Sequence, residues 1–195
     1  MTDAPTSRVM LRHVMRSDRN EFLALMRASA DLHGPWISPP RNALGFDHYL
    51  ARVQREDHEG LLICLRGSQR IAGTININNI IRGSFLSASL GYYVGADFAG
   101  QGYMYEGLQL ALAYAREQLG LHRLEANIQP DNHRSIALVK RCGFEYEGNS
   151  PDYLYINGAW RDHQRWTYRD QRQTLLPQPD NNRSSQPLGT SGTAL

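Results

Sequence analysis

Apolar residues along this chain change period several times, and each change predicts an element. Residues 8–14 alternate as a half-buried strand does. Ser17-Asp18 then offers an N-cap to a helix whose apolar positions, Phe22, Leu25 and Met26, recur at helical spacing. Gly34-Pro35-Trp36 and Pro39-Pro40 break the chain into a loop, and Phe46, Leu50 and Val53 mark a second helix over 46–55. Residues 61–65, a Gly67-Ser68 turn and residues 71–81 read as a hairpin, and a further strand covers 85–94. The longest stripe, Met104, Leu108, Ala111, Leu112, Ala115 and Leu119, predicts a helix that opens near Gly102 and closes at Gly120. Next come a strand at 124–128 and a short helix after Asn132 carrying Ile136, Leu138 and Val139, closed by Gly143. A strand at 144–147 follows, and Asn157-Gly158 joins strands 153–156 and 159–168 as a two-residue hairpin. Strands and helices in this order predict an α/β chain of the α+β kind, a mostly antiparallel mixed sheet with helices packed on it.

The length of 195 residues suits one domain, expected over 8–170. From about residue 171, Gln, Pro, Asn, Ser, Gly and Thr dominate, so 171–195 is expected to be a disordered tail. A net charge of +2 argues against a general nucleic-acid binder. No apolar run nears the roughly 18 residues that span a bilayer, and residues 1–7 lack the regions of a signal peptide. Cys64 and Cys142 sit in apolar contexts, as buried free thiols of a cytoplasmic protein would. The seven histidines are dispersed, so no metal site is expected.

Candidate chemistry concentrates between the 85–94 strand and the long helix, where Gly100-Gln101-Gly102 leads into Tyr103-Met104. A helix start presents unpaired N–H groups and a partial positive charge, and glycines let a ligand approach that backbone. The arrangement suits a phosphate. It is neither of two familiar phosphate loops. A dinucleotide fingerprint needs glycine where Tyr105 stands, and a P-loop needs Gly-Lys-Ser/Thr after Gly100.

Four segments together resemble the GNAT acetyltransferase superfamily: residues 100–104, Leu121-His122-Arg123-Leu124-Glu125-Ala126, Pro130-Asp131-Asn132 through Ser135, and Cys142-Gly143-Phe144. Narrower segments look like the ribosomal-protein alanine acetyltransferases of the RimJ and RimL type, RimJ above all. These are 81–85, Leu90-Gly91-Tyr92, Asp152-Tyr153-Leu154 and Trp160-Arg161-Asp162-His163. The resemblance implies a GNAT fold with splayed middle strands, acetyl-CoA as co-substrate and an amine acceptor. It implies that Tyr92, Tyr93 and Val94 offer backbone bonds to the pantetheine arm. Gly100, Gln101, Gly102, Tyr103 and Met104 would cradle the pyrophosphate, and Asn132 and Ser135 would also contact the cofactor. Three positions depart from the common pattern. Asp97 stands where Arg or Gln is usual and is expected to point away. Val139 replaces a tyrosine general acid, and Ser89 replaces a glutamate.

An α-amine has a reference pKa near 7.7–8.0 against about 10.4 for lysine, so an enzyme for protein N-termini needs only a modest base. Loss of the usual glutamate is therefore tolerable for α-amine acetylation. Ser135, in the Asn-x-x-Ser segment, is the candidate general acid, with hydrogen bonding to cofactor or helix backbone as its other reading. Glu59 is the candidate base, set against a solvated surface glutamate. Glu106, in the first turn of the long helix, reads as structural. His122, His133 and His163 are isolated histidines of the kind that usually serve packing. Trp36, Asp152, Tyr153, Trp160 and Arg161 are the candidate acceptor cleft. The expected partner is a protein N-terminus, with a ribosomal protein as the candidate, for a monomer or homodimer without membrane association. Two alternatives stay open: a GNAT enzyme for a polyamine, antibiotic or other small amine, and an acetyl-CoA-binding regulator without turnover.

Overall fold

The structure, a computed structural model, describes residues 7–171, so the tail expected beyond residue 171 lies outside the described residues. Strands β1 (Val9–His13), β2 (His58–Leu65), β3 (Ile71–Ile81), β4 (Ser87–Val94), β5 (Arg123–Ile128), β6 (Glu145–Ile156) and β7 (Ala159–Arg169) form one sheet in the order β1-β2-β3-β4-β5-β7-β6. Every neighbouring pair is antiparallel except β4 and β5. Helices α1 (Arg19–Ala28), α2 (Ala30–His33) and α3 (Ala43–Val53) precede β2, while α4 (Tyr103–Glu117) and α5 (His133–Arg141) flank β5 in sequence.

Strand alternation divides the core between the two faces. Ile75, Ile77 and Leu90 on one face cluster with Leu108, Ala111, Leu112 and Ala115 of α4 and Val139 of α5. Leu62 and Cys64 on the other meet Phe22 and Met26 of α1 and Phe46, Tyr49 and Leu50 of α3. The predicted stripe of α4 is thus its buried face, apart from the half-buried Leu119, which follows the helix.

Some local expectations are corrected. Asp18 does not cap α1 with its side chain; its carboxylate takes two bonds from Arg12 (2.7 and 2.8 Å) and one from the Met15 N–H. The helix expected over 46–55 begins at Ala43, because Asn42 accepts from the Gly45 N–H at 2.8 Å. The two short strands expected at 144–147 and 153–156 are one strand, β6, interrupted by register shifts near Gly148 and Asp152. Both thiols are free and buried. Among the described residues no helix is long and apolar enough to cross a membrane.

Beyond the core, Arg123 of β5 reaches over β7 to Glu147 of β6 and also bonds Glu125 and Thr167. The Arg123 guanidinium holds the Glu147 carboxyl down to about 2. A depressed carboxylate contributes stability above its unfolded pKa of about 4.3 and loses it as pH falls through the folded value. A quarter of the Glu147 side chain remains exposed, so the contribution is discounted to about 1–2 kcal/mol. Glu147→Gln is therefore expected to lower the urea midpoint at pH 7 and to flatten the stability loss between roughly pH 4.5 and 2. An unchanged acid slope would refute this.

Candidate active site

The one parallel pair in the sheet makes the site. β4 and β5 pair only from Ser87↔Arg123 to Leu90↔Ala126; beyond that the strands part, while β4 stays paired to β3 as far as Gly73↔Val94. Antiparallel pairs alternate between hydrogen-bonded and non-hydrogen-bonded sites. The Gly95 N–H to Ala72 C=O bond (2.8 Å) sets that alternation, so Tyr92 and Val94 turn their backbone groups into the gap. Tyr93, at a bonded site opposite Thr74, does not. The resemblance-based expectation for 92–94 thus fits Tyr92 and Val94, whereas Tyr93 contributes only its ring. Val94 C=O accepts from His33, and the remaining strand groups beside the cleft suit an extended polar chain that supplies the missing ladder.

The parted strands open a cleft of about 1450 Å³ that is lined from both faces of the sheet. On the α4 face lie Gly100, Gly102, Met104, Asn132 and Ser135. Gly100 (φ +75°) and Gly102 (φ +85°) are both left-handed, a conformation glycine adopts without strain. The first helical bond of α4 is donated by Glu106 to Gly102 C=O (3.1 Å), so the amides of Tyr103, Met104 and Tyr105 precede the helical ladder. A Cβ on Gly100 would meet no heavy atom within 4 Å, which leaves that approach open. These features fit a diphosphate.

Sequence reading missed what braces this loop. Arg8, beside β1, donates Nη2 to Gln101 C=O (2.8 Å) and Nε to Glu106 (2.7 Å), and lies 4.5 Å over the Tyr103 ring. Burial works against the charged form of Glu106, but bonds from the Arg8 side chain and backbone hold its carboxyl below the ordinary range. Glu106 is the structural residue expected. Gln101 turns its side chain back to Asp97 C=O (2.6 Å), and exposed Asp97 does not line the cleft.

Deeper on this face, the Tyr92 hydroxyl lies 2.6 Å from Ser135 Oγ. Asn132 caps α5 by accepting from the Ser135 N–H at 3.2 Å, which sets where that serine stands. Burial pushes the Tyr92 hydroxyl above its ordinary value, against the opposing bond from Ser135. Tyr92 therefore keeps its proton at neutral pH. Val139, at the position where the resemblance led to an expected tyrosine acid, is fully buried in the core.

The opposite face carries different chemistry. His33, at the end of α2, donates Nε2 to Val94 C=O (2.8 Å), and its Nδ1 is sealed without a partner. Burial holds this imidazole below its usual pKa. Its ring meets Tyr93 edge-on at 5.5 Å, and burial pushes the Tyr93 hydroxyl up to about 12. Trp36 and Tyr153 line the cleft as expected. Asn157 at the β6–β7 turn ties the hairpin to the loop after α2: its Nδ2 donates to Gly34 C=O (2.6 Å), and Ser38 Oγ donates to its Oδ1 (2.7 Å). His163 of β7 is buried and lines the same cleft, with Nδ1 bonded to Arg161 C=O at 2.8 Å. The only signal for His33 in the sequence was its residue type, whereas His163 closed the Trp160-Arg161-Asp162-His163 segment but was read as a packing histidine.

Six expected residues do not line the cleft: Gln101 and Tyr103, whose side chains turn to Asp97 C=O and to Arg8, and four candidates for catalysis or the acceptor. Glu59 pairs in register with Ile77, whose side chain faces α4, and its carboxylate lies 2.8 Å from His13 Nε2. In the sheet order β3 and β4 stand between β2 and the gap, and Glu59 is not part of the lining. Trp160 is 60% exposed against Tyr155 (5.6 Å between ring centres), and Asp152 uses its N–H on Asp162 at 2.9 Å. Arg161 contributes its carbonyl to His163, while its exposed side chain is not part of the lining.

The profile of the acetyltransferase (GNAT) domain family matches residues 8–145. Over 95 residues the chain is 45% identical to ribosomal protein uS5-alanine N-acetyltransferase of Escherichia coli strain K12, covering 49% of each chain. The match thus spans about half the length of that curated relative. Mycobacterium smegmatis RimJ in complex with CoA-disulfide superposes with a TM-score of 0.76 at 27% identity, over 83% of this chain and 81% of that one. Spermidine N-acetyltransferase from Vibrio cholerae, in complex with CoA and spermine, shares the fold at a TM-score of 0.72 and 19% identity, over 84% and 96%.

Proposed function

Because the chain belongs to the GNAT acetyltransferase family, we propose that it moves the acetyl group of acetyl-CoA to the N-terminal α-amine of a protein, a ribosomal protein beginning with alanine being the first acceptor to try. The observation that carries this reading is a cleft running through the sheet, with a diphosphate cradle and a hydroxyl pair on one face and an opening between α2 and the β6–β7 hairpin on the other. The first face suits the cofactor and the second the amine.

Acetyl-CoA supplies an activated thioester. Tyr92 and Val94 present backbone groups to its arm, and Gly100, Gly102, Tyr103 and Met104 present the loop and helix amides to its diphosphate. Ser135 Oγ is placed to protonate the departing thiolate, and Tyr92 replenishes that proton through their 2.6 Å contact. The acceptor opening is poor in anions. Among the described residues, the carboxylates lining the cleft are Asp31 of α2 and Asp131 just before α5. A polyamine with several positive charges would be better held by a cluster of carboxylates, so the lining favours an acceptor with one amine on an otherwise neutral segment. Such work on ribosomal proteins belongs in the cytoplasm.

Incubation with acetyl-CoA and a panel of amines tests the reading. Peptides starting with Ala, Ser or Met are expected to release thiol, whereas an N-blocked lysine peptide and spermidine are not. Release with spermidine alone would replace the acceptor class, and binding of acetyl-CoA without any release would make the protein a regulator.

A further inference from the structure

Taking up the proton of the acceptor amine needs a group on the second face of the cleft, and Ser89 leaves the usual glutamate position without a carboxylate. Ser89 Oγ instead bonds Asn78 C=O at 3.3 Å. Three carboxylate or imidazole side chains reach the cleft from that face: Asp31, His33 and His163. Asp31 is exposed at the rim. His33 has its Nε2 on Val94 C=O, and its Nδ1 is sealed from solvent, so neither nitrogen meets an incoming amine.

His163 differs from both. Its Nδ1 faces the Arg161 carbonyl at 2.8 Å, which accepts only, so the ring proton sits on Nδ1 and Nε2 carries a bare lone pair. Nε2 has no hydrogen-bond partner among the described residues and, unlike His33 Nδ1, is not sealed. The ring is fixed by its backbone bond and by Tyr153, 5.9 Å away between ring centres. In register, Gln164 lies opposite Ile128 at the end of β5, so His163 stands beside the gap where β5 has left β4.

We infer that His163 is the general base of the reaction, its Nε2 taking the proton that the acceptor nitrogen sheds as the C–N bond forms. The inference rests on the acetyl-transfer reading above. The amine attacks the thioester carbonyl, the C–S bond breaks, and the thiolate receives a proton from Ser135, backed by Tyr92. His163 later returns its proton to solvent, and Tyr92 regains one from solvent, so the step balances without a further reactant. Base and acid thus act from opposite faces of the sheet. Burial keeps His163 below the ordinary histidine pKa, against the opposing influence of the Arg161 bond and the Asp162 charge, so it stays unprotonated through neutral pH. The titratable and charged groups around it are Tyr153 from β6, Arg161 and Asp162 from β7, and, across the cleft, Asp31 and His33 from α2 and Tyr93 from β4.

The test is His163→Gln, assayed from pH 6 to 9 with whichever amine of the panel supports turnover, beside His33→Gln. His163→Gln is expected to lower kcat/KM by about 10²-fold near pH 7. The deficit should persist toward pH 9, because a neutral amine still sheds a proton as the C–N bond forms, and the fall in activity at the acid end, where an imidazole gains its proton, should weaken in the variant. Acetyl-CoA affinity by calorimetry should hold. An unchanged rate in His163→Gln, an acid limb that His163→Gln leaves in place, or the larger loss in His33→Gln instead, would overturn the assignment. Ring ¹⁵N shifts of His163 give a readout independent of the acceptor. The neutral Nδ1–H form at pH 7 is expected, and an Nε2–H form or an imidazolium would refute it. Failure of peptides as acceptors would strike the N-terminal reading alone.

Discussion

Tyr92→Phe and Ser135→Ala are each expected to lower kcat by about 10²–10³-fold, and the double variant to be little worse than the poorer single one. The two hydroxyls are 2.6 Å apart, and each is the other's partner inside the cleft. Removing either breaks one proton path rather than one of two independent contributions, so the losses should not add. Each substitution removes one oxygen and leaves β4 and α5 intact; the α5 cap uses the Ser135 N–H, which alanine retains. Acetyl-CoA affinity should therefore be little changed, and the loss should lie in the chemical step. Single-turnover thiol release with saturating peptide measures this. Additive losses would mean that Tyr92 and Ser135 act separately. Full activity in Ser135→Ala with a deficit in Tyr92→Phe would make the tyrosine the direct donor.

Gly102→Val is expected to weaken acetyl-CoA binding by about 10–100-fold, as measured by calorimetry, which corresponds to about 1.4–2.8 kcal/mol. A non-glycine residue at φ +85° costs about 1–2 kcal/mol, more when β-branched. The new Cβ would also come within 3.2 Å of Arg8 Nη2, the group that bonds Gln101 C=O and braces the loop. The protein can relieve both only by moving the amides that lead into α4. Gly120→Ala is the control. It has a similar left-handed φ of +66° with open space around it, but it follows α4 at the far end from the cleft. It should lose stability without losing affinity. Equal binding by Gly102→Val and the unaltered protein would remove the loop from cofactor recognition.

How much of this was legible beforehand depended on sequence distance. The α4 stripe and the Asn157-Gly158 turn were readable because periodicity and turn chemistry act over a few residues. The glycine loop was readable for the same reason. Helix α2 spans only four residues and left no periodic trace, so His33 had no predicted element to stand on. The strand β6 was cut in two because Gly148, Pro151 and Asp152 look like loop residues, yet β7 carries the ladder past them. Arg8 and Glu106 are 98 positions apart, and Tyr92 and Ser135 are 43 apart. No local pattern announces such pairs. Glu59 was misplaced for a related reason: how far a strand stands from the gap follows from the sheet order, and no local pattern sets that order.

The two bonds through Asn157 join the hairpin tip to the 34–38 loop, and both lie at exposed positions. Bonds of this kind contribute about 0.5–1.5 kcal/mol each, so a thermal fluctuation is enough to part them. On the proposed reading, an acetylated polypeptide, far bulkier than the two carbons it has gained, would then slip sideways out of its berth without any strand unravelling.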